Sequence, residues 1–189
     1  PNTRESIQYA LNFLQADGVE VDLQFTKDFV PVLFHDAFTD EFLDTEGCIS
    51  QFTYAELQEL KYYGKYKILD LHSALNLTVR EGKRILLDVK QFDYCNQKKL
   101  AREAIVNALN KDLDALTMVE KDLVSIASQD IDFLLVSELN SASEQLLIDK
   151  KIKYGVFYVK TKSEIKNAVN SAASFIISDN IATTKQKLN

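Results

Sequence analysis

Short, mostly apolar runs alternate with amphipathic helical stretches along the whole of this chain. That alternation constrains the fold more than any other feature, because parallel strands can be joined only by long crossovers, usually helices. Strands are read at residues 19–25, 30–35, 85–90, 124–128, 154–159 and 174–178. The first has a strict period of two: Val19, Val21, Leu23 and Phe25 fall on one face, Glu20, Asp22 and Gln24 on the other. Residues 30–35 are nearly all apolar, the pattern of a strand buried on both faces. Helices are read over 3–15, from a Thr53–Glu56 capping box, from an Asp70 cap through Leu77, over 97–110, over most of 130–150, and over 161–172. The first is given Asn2 as its N-cap and Gly18 as a left-handed C-cap. A loop fills 36–51.

Without a linker, repeat or low-complexity tract, residues 1–189 read as a single α/β domain. A doubly wound sheet and a (β/α)8 barrel both fit. The Gly-rich phosphate turn of nucleotide folds is missing, which favours the barrel. Such barrels typically need ~250 residues, and the chain has 189, opening on Pro rather than Met. The expectation is therefore an incomplete TIM-type barrel, with its first strand missing beside strand 19–25 and a βα unit lacking between Ser128 and Tyr154.

A net charge of −6, from 22 Lys+Arg against 28 Asp+Glu, argues against a nucleic-acid partner. Hydrophobic residues at 46% and charged residues at 26% exclude a disordered chain. No apolar run approaches the ~20 residues that span a bilayer, so stable membrane insertion is not expected. With no signal peptide visible, the chain is read as cytoplasmic; the sequence leaves its oligomeric state open. Cys48 and Cys95 lie in no metal-binding spacing and are read as two ordinary thiols.

Strands of a parallel sheet are normally apolar, yet three here carry charged or titratable residues. Glu20 and Asp22 share a face of one strand, about 6.5–7 Å apart at Cα; Asp88 and Lys90 repeat the arrangement on a later strand, and His35 closes the strand between. An isolated Glu-x-Asp also suits the solvent face of an edge strand. Inside a barrel, three carboxylates would repel one another and be strongly desolvated unless a cation lay among them. An all-oxygen set suits a hard divalent ion, Mg²⁺ or Ca²⁺. Lys90 adds a donor for a phosphate oxygen, and His35 is the group that titrates near neutrality. His72, among apolar residues on a helix, reads as structural or surface.

These residues resemble the glycerophosphodiester phosphodiesterase family. The likeness is carried by Pro1-Asn2-Thr3, by Gly18-Val19-Glu20-Val21-Asp22-Leu23-Gln24-Phe25-Thr26-Lys27-Asp28 and by Pro31-Val32-Leu33-Phe34-His35-Asp36. Phe52-Thr53-Tyr54-Ala55-Glu56-Leu57, Leu86-Leu87-Asp88-Val89-Lys90 and Phe175-Ile176-Ile177-Ser178-Asp179 continue it. The resemblance implies a TIM-type barrel that hydrolyses glycerophosphodiesters to an alcohol and glycerol phosphate with a divalent metal. It makes Glu20, Asp22 and Asp88 metal ligands, His35 an acid/base residue and Lys90 a substrate phosphate contact, with a small-molecule phosphodiester as the partner. Three departures stand out. Asp88 replaces the usual Glu. The family's Arg after His-Asp has no counterpart between Ala37 and Gly47. The family's His-Arg-Gly motif, which would precede Pro1, is absent. An Asp third ligand also resembles phospholipase D-like and sphingomyelinase D-like lipid phosphodiesterases, and a catalytically inactive binding barrel is the other alternative. Phe34, Phe38, Phe42 and Phe52 are available either to line a lipid-binding mouth or to pack a core.

Overall fold

A computed structural model describes residues 1–90, 92, 94–97, 99–100, 116–118, 134–136, 141–149, 151 and 153–188. They form two compact units, Pro1–Thr117 and Met118–Asn189. The strand read at 124–128 and most of the helix read at 97–110 lie outside the described residues.

One sheet has the order β2-β1-β3-β4, with β1 Gly18–Phe25, β2 Pro31–Leu33 and β3 Arg84–Val89 in the first unit and β4 Leu116–Met118 at its end. β1 and β3 are parallel in a register that pairs Glu20 with Leu86 and Asp22 with Asp88. The period of two then sorts the side chains. Val21, Leu23 and Phe25 join Ile85, Leu87 and Val89 in a core that also takes in Ile7, Leu11, Leu71 and Ala74. Glu20, Asp22, Gln24, Asp88 and Lys90 alternate with these and so belong to the other face.

Ile7 comes from α1, Arg4–Gln8, and Leu11 from the π-helical turn Tyr9–Phe13 that follows it. Leu71 and Ala74 come from α3, Leu71–Arg80, which Asp70 caps by accepting from the Ser73 N–H at 2.9 Å. This helix runs three residues past the expected Leu77. The short α2, Tyr54–Glu59, has the Thr53–Glu56 capping box read from the sequence. Leu57 from α2 and Ile49 pack with Val32, Phe34, Tyr62 and Ile68 in a second cluster of the same unit.

Three local expectations change. The N-cap of α1 is Thr3, accepting from Ser6 N at 3.1 Å, and not Asn2. Asn2 takes a left-handed φ of 58° and turns its amide to β1. The helical turns end at Phe13 with Leu14 as C-cap, the left-handed φ of 55° falls at Gln15, and Gly18 opens β1. Its bare Cα is required there, because a Cβ would stand 2.7 Å from the Arg84 carbonyl oxygen. The strand read at 30–35 shortens to Pro31–Leu33 and runs antiparallel to β1, pairing Leu23 with Leu33 and Phe25 with Pro31. Residues 26–30 are too few for a crossover, so they make a hairpin closed by bonds between Thr26 and Val30.

In the second unit, β5 Leu134–Val136, β6 Tyr154–Val159 and β7 Phe175–Ser178 form a parallel sheet in that order. Helices α4 Ser141–Asp149, α5 Lys162–Val169 and α6 Ile181–Leu188 accompany it. The stretch 130–150, expected to be mainly helix, thus holds a strand before its helix; a short apolar run is ambiguous between the two. Leu147, Tyr154, Val156, Ile165 and Ala168 make this unit's core. Gly155 admits the Phe175 ring, which a Cβ would meet at 2.3 Å.

No helix among the described residues is long and apolar enough to cross a membrane. Cys48 and Cys95 are joined in a disulfide, Cα to Cα 6.1 Å, which corrects the reading of two separate thiols. Neither the lack of a CxxC spacing nor a separation of 47 residues hints at the pairing; the fold brings the two segments together.

Candidate active site

The polar face of β1 and β3 is where the acidic residues converge. Asp22 and Asp88 are lateral neighbours in the register, on strands about 4.8 Å apart, and Glu20 lies one pleat earlier on β1. One carboxylate oxygen from each of the three falls within 4.8 Å of the others. Asp22 is buried, Glu20 and Asp88 half-buried.

Two like charges so placed would repel one another without a counter-charge between them. Lys90 prevents this: its Nζ is 2.8 Å from Asp22 Oδ1 and 2.6 Å from Asp88 Oδ2, with only 11% of its side chain exposed. Burial acts to lower the Lys90 pKa, but the charges and hydrogen bonds of Asp22 and Asp88 outweigh it and hold the ammonium above the usual lysine range. The cluster of three carboxylates and one ammonium keeps a net charge of about −2, which a divalent cation would balance.

The donor set fits such an ion. Oxygen ligands at about 2.0–2.6 Å from one cation can be no more than roughly 5 Å from each other, and the triad meets that limit. All three donors are hard carboxylate oxygens, suited to Mg²⁺ or Ca²⁺ rather than to a thiophilic metal.

Two further residues shape the site and were not singled out in the sequence. Asn2 donates from Nδ2 to Asp22 Oδ2 at 2.7 Å and accepts from the Asp22 backbone N–H at 3.1 Å. This pair fixes both the Asp22 side chain and its backbone. The Pro1-Asn2-Thr3 motif contains this Asn, but its local spacing reads as a helix cap. Gln24, fully buried on the same face of β1, donates both amide hydrogens, to the Phe34 carbonyl at 3.0 Å and the Asp36 carbonyl at 2.7 Å. It grips the chain on either side of His35. Its period-two relation to Glu20 and Asp22 was the available signal.

The Phe34 N–H bonds the Asp22 carbonyl at 3.0 Å, so His35 begins one residue from the acidic cluster. The His35 ring is exposed, and its Nδ1 lies 3.1 Å from Asp36 Oδ1. A proton on Nδ1 shared with that carboxylate would leave Nε2 open for exchange. His72 lies exposed on α3, as expected of a surface residue. Phe34 is fully buried, and Phe42 and Phe52 pack against the second cluster. Phe38 is half exposed and stacks on Tyr94.

Together these features define an α/β protein whose parallel strands present an oxygen-ligand cluster and a lysine on one face. The particular family follows from comparison. Residues 1–183 match the model of the glycerophosphoryl diester phosphodiesterase family, and the chain belongs to that family. It is 32% identical over 88 residues to glycerophosphodiester phosphodiesterase 1 of Bos taurus, a match covering 42% of this chain and 27% of that protein. The aligned region thus spans about a quarter of that relative's length. An Oleispira antarctica phosphodiesterase, solved in complex with the product sn-glycerol-3-phosphate, superposes with a TM-score of 0.73. The match has 21% identity and covers 99% of this chain and 90% of that one. A glycerophosphodiester phosphodiesterase from Agrobacterium tumefaciens gives 0.71 at 17% identity, covering 98% and 93%. The chain therefore has the α/β fold of these enzymes.

Proposed function

We propose that this protein hydrolyses glycerophosphodiesters to an alcohol and glycerol phosphate, with a divalent cation, Mg²⁺ or Ca²⁺, held by Glu20, Asp22 and Asp88. The observation that carries the reading is the convergence of three carboxylates around Lys90 on one sheet face of a chain from this family. The sn-glycerol-3-phosphate bound in the Oleispira antarctica enzyme is the kind of product this reaction releases.

In a glycerophosphodiester the glycerol hydroxyl beside the phosphate is a built-in nucleophile. It attacks phosphorus, the P–O bond to the leaving alcohol breaks, and the hydroxyl's proton passes to the site while the alcohol takes one up. Water then opens the cyclic phosphate with a further pair of proton transfers. His35, with Nδ1 anchored on Asp36, serves one of these transfers at Nε2, help typically worth about 10²–10⁴-fold. Gln24 holds the backbone on both sides of that imidazole, and Asn2 holds Asp22. Lys90 serves as a charged donor to a phosphoryl oxygen in this reading. A divalent cation held by Glu20, Asp22 and Asp88 would supply Lewis-acid stabilisation of the charge growing on those oxygens.

The test is turnover of glycerophosphocholine and glycerophosphoglycerol by the full-length protein, with and without EDTA. Activity is expected to vanish with EDTA and to return with Mg²⁺ or Ca²⁺. Glu20→Gln should remove both activity and calorimetric cation binding while the fold persists by circular dichroism. His35→Ala should lower kcat by at least about 10²-fold and flatten one limb of the pH–rate profile, whereas His72→Ala should change little. Equal cation binding by wild type and Glu20→Gln, or full turnover by His35→Ala, overturns these assignments.

A further inference from the structure

Asn2 stands in a backbone conformation that few residues accept. Its φ of 58° is left-handed, and the next residue is Thr3, the N-cap of α1. Apart from glycine, Asn is among the few residues that enter this region readily. The capping bond to the first turn of α1 is made by Thr3, so the Asn2 amide is not needed there. Asn2 is only 5% exposed, and its polar atoms must therefore find partners inside the protein.

Both partners belong to Asp22. Nδ2 donates to Asp22 Oδ2 at 2.7 Å, and Oδ1 accepts from the Asp22 N–H at 3.1 Å. On its other sides Asp22 has Lys90 Nζ at 2.8 Å from Oδ1, and the Phe34 N–H at 3.0 Å from its carbonyl. An ionised carboxylate offers about four lone-pair sites. Asn2 takes one on Oδ2 and Lys90 one on Oδ1, which leaves one on each oxygen for a cation.

The two donors differ in kind. Lys90 is a charge, and it competes with a cation for the same carboxylate. Asn2 is neutral, and it holds the carboxylate without adding positive charge to the cluster. With Oδ2 tied to Asn2, Asp22 is kept from turning both oxygens to the ammonium. Without that bond the carboxylate can rotate about Cβ–Cγ and close on Lys90, which withdraws lone pairs from the cation. The position thus asks for a left-handed backbone, a donor and an acceptor together. Gly meets the first alone, and an ionised Asp has no donor. The amide also has a firm base. Ile7 of α1 and Leu11 pack with Val21 and Leu23, the residues on either side of Asp22 in β1.

We propose that Asn2 is a positioning residue of the cation site: it acts through Asp22, and its amide sets the affinity of the carboxylate cluster for a divalent ion. The inference rests on the reading of Glu20, Asp22 and Asp88 as the ligands of that ion.

The experiment is calorimetric titration of the full-length protein with Mg²⁺ and with Ca²⁺, each alone, in the wild type, Asn2→Gly and Thr3→Ala. Gly adopts a positive φ without strain, so Asn2→Gly removes the amide and keeps the turn. Loss of a group that orients a metal ligand typically weakens metal affinity about 10–100-fold, and that loss is expected in Asn2→Gly. Thr3→Ala removes the neighbouring helix cap; it should lower the melting temperature and leave cation affinity within about twofold. Hydrogen exchange in EDTA gives a readout without the ion. The Asp22 N–H should exchange faster in Asn2→Gly, while the rest of β1 keeps its protection. If Asn2→Gly does not fold, Asn2→Ser replaces it; its shorter arm can make at most one of the two bonds, and weakened cation binding is expected there too. Wild-type affinity in the Asn2 variant overturns the proposal, as does unchanged exchange at Asp22. An equal loss in Thr3→Ala also overturns it, because loosening of the segment would then be the cause. Failure of the ligand reading looks different: the wild type itself binds neither ion, and the proposal falls with it.

Discussion

Lys90 is the residue on which the acidic cluster turns. It stands one pleat beyond Asp88 on the same face and reaches across to Asp22. Its pKa is raised in the folded protein, against the opposing effect of burial. A raised lysine pKa gives stability that is complete below the ordinary lysine value near ~10.4 and is lost only as pH climbs through the folded value. Around neutrality the contribution is therefore full and flat. Lys90→Met leaves Asp22 and Asp88 facing each other without a counter-charge, and breaking a buried pair from one side typically costs about 3–5 kcal/mol. We expect urea unfolding at pH 7 in EDTA to show a loss of that order. Adding Mg²⁺ or Ca²⁺ should then restore more stability to the variant than it adds to the wild type, because the cation replaces the missing charge. An unchanged midpoint in EDTA would show that the pairing contributes nothing net.

At the scale of elements, α3 shows how one cap ties a helix to its neighbours. Asp70 accepts from the Ser73 N–H at 2.9 Å, the Ser73 hydroxyl at 2.7 Å and the Tyr54 hydroxyl of α2 at 3.0 Å. Burial acts to raise the Asp70 pKa, but the Ser73 and Tyr54 bonds more than offset it and hold the carboxyl below its usual range. The same contact, after burial, pushes Tyr54 up to about 12. A depressed carboxylate pKa means stability present above the unfolded value near ~3.9 and lost as pH falls through the folded one. Asp70→Ala should cost about 1 kcal/mol at pH 7, and the gap between variant and wild type should narrow steadily below about pH 4. Denaturant midpoints at pH 7 and pH 3 check both the size and the direction.

At the scale of the whole chain, the Cys48–Cys95 bond links segments 47 residues apart in sequence. Closing a loop of that length restricts the unfolded chain by roughly 4 kcal/mol in the chain-entropy model. We expect thiol reduction, or paired Cys48→Ser and Cys95→Ser substitution, to lower the melting temperature and to loosen the Phe38–Tyr94 contact. Intact mass after alkylation of the native protein should show no modified cysteine; two alkylated thiols would refute the bond. Bonds of this kind persist where the surroundings are oxidising and are rare where thiols are kept reduced.

The local grammar of the chain was legible without a structure. Period two in residues 19–25 placed Glu20, Asp22 and Gln24 on one face, and Thr53, Asp70 and Thr161 announced helix starts that are present. Side chains at fixed short spacing share a face whatever the rest of the molecule does, so the candidate ligands Glu20, Asp22 and Asp88 could be named in advance. Contacts between distant segments could not. Asn2 looked like a cap because caps are local, and only the packing of α1 against β1 turned its amide to Asp22. Residues 30–35 looked buried on both faces, and hairpin closure made part of them an antiparallel neighbour of β1. Gln24 gripping the chain around His35, Lys90 spanning two strands, and Cys48 meeting Cys95 all depend on register and loop closure. Sequence determines which groups a strand or helix can present; the tertiary fold alone decides which of them meet, because a contact's energy depends on distance in space and not along the chain.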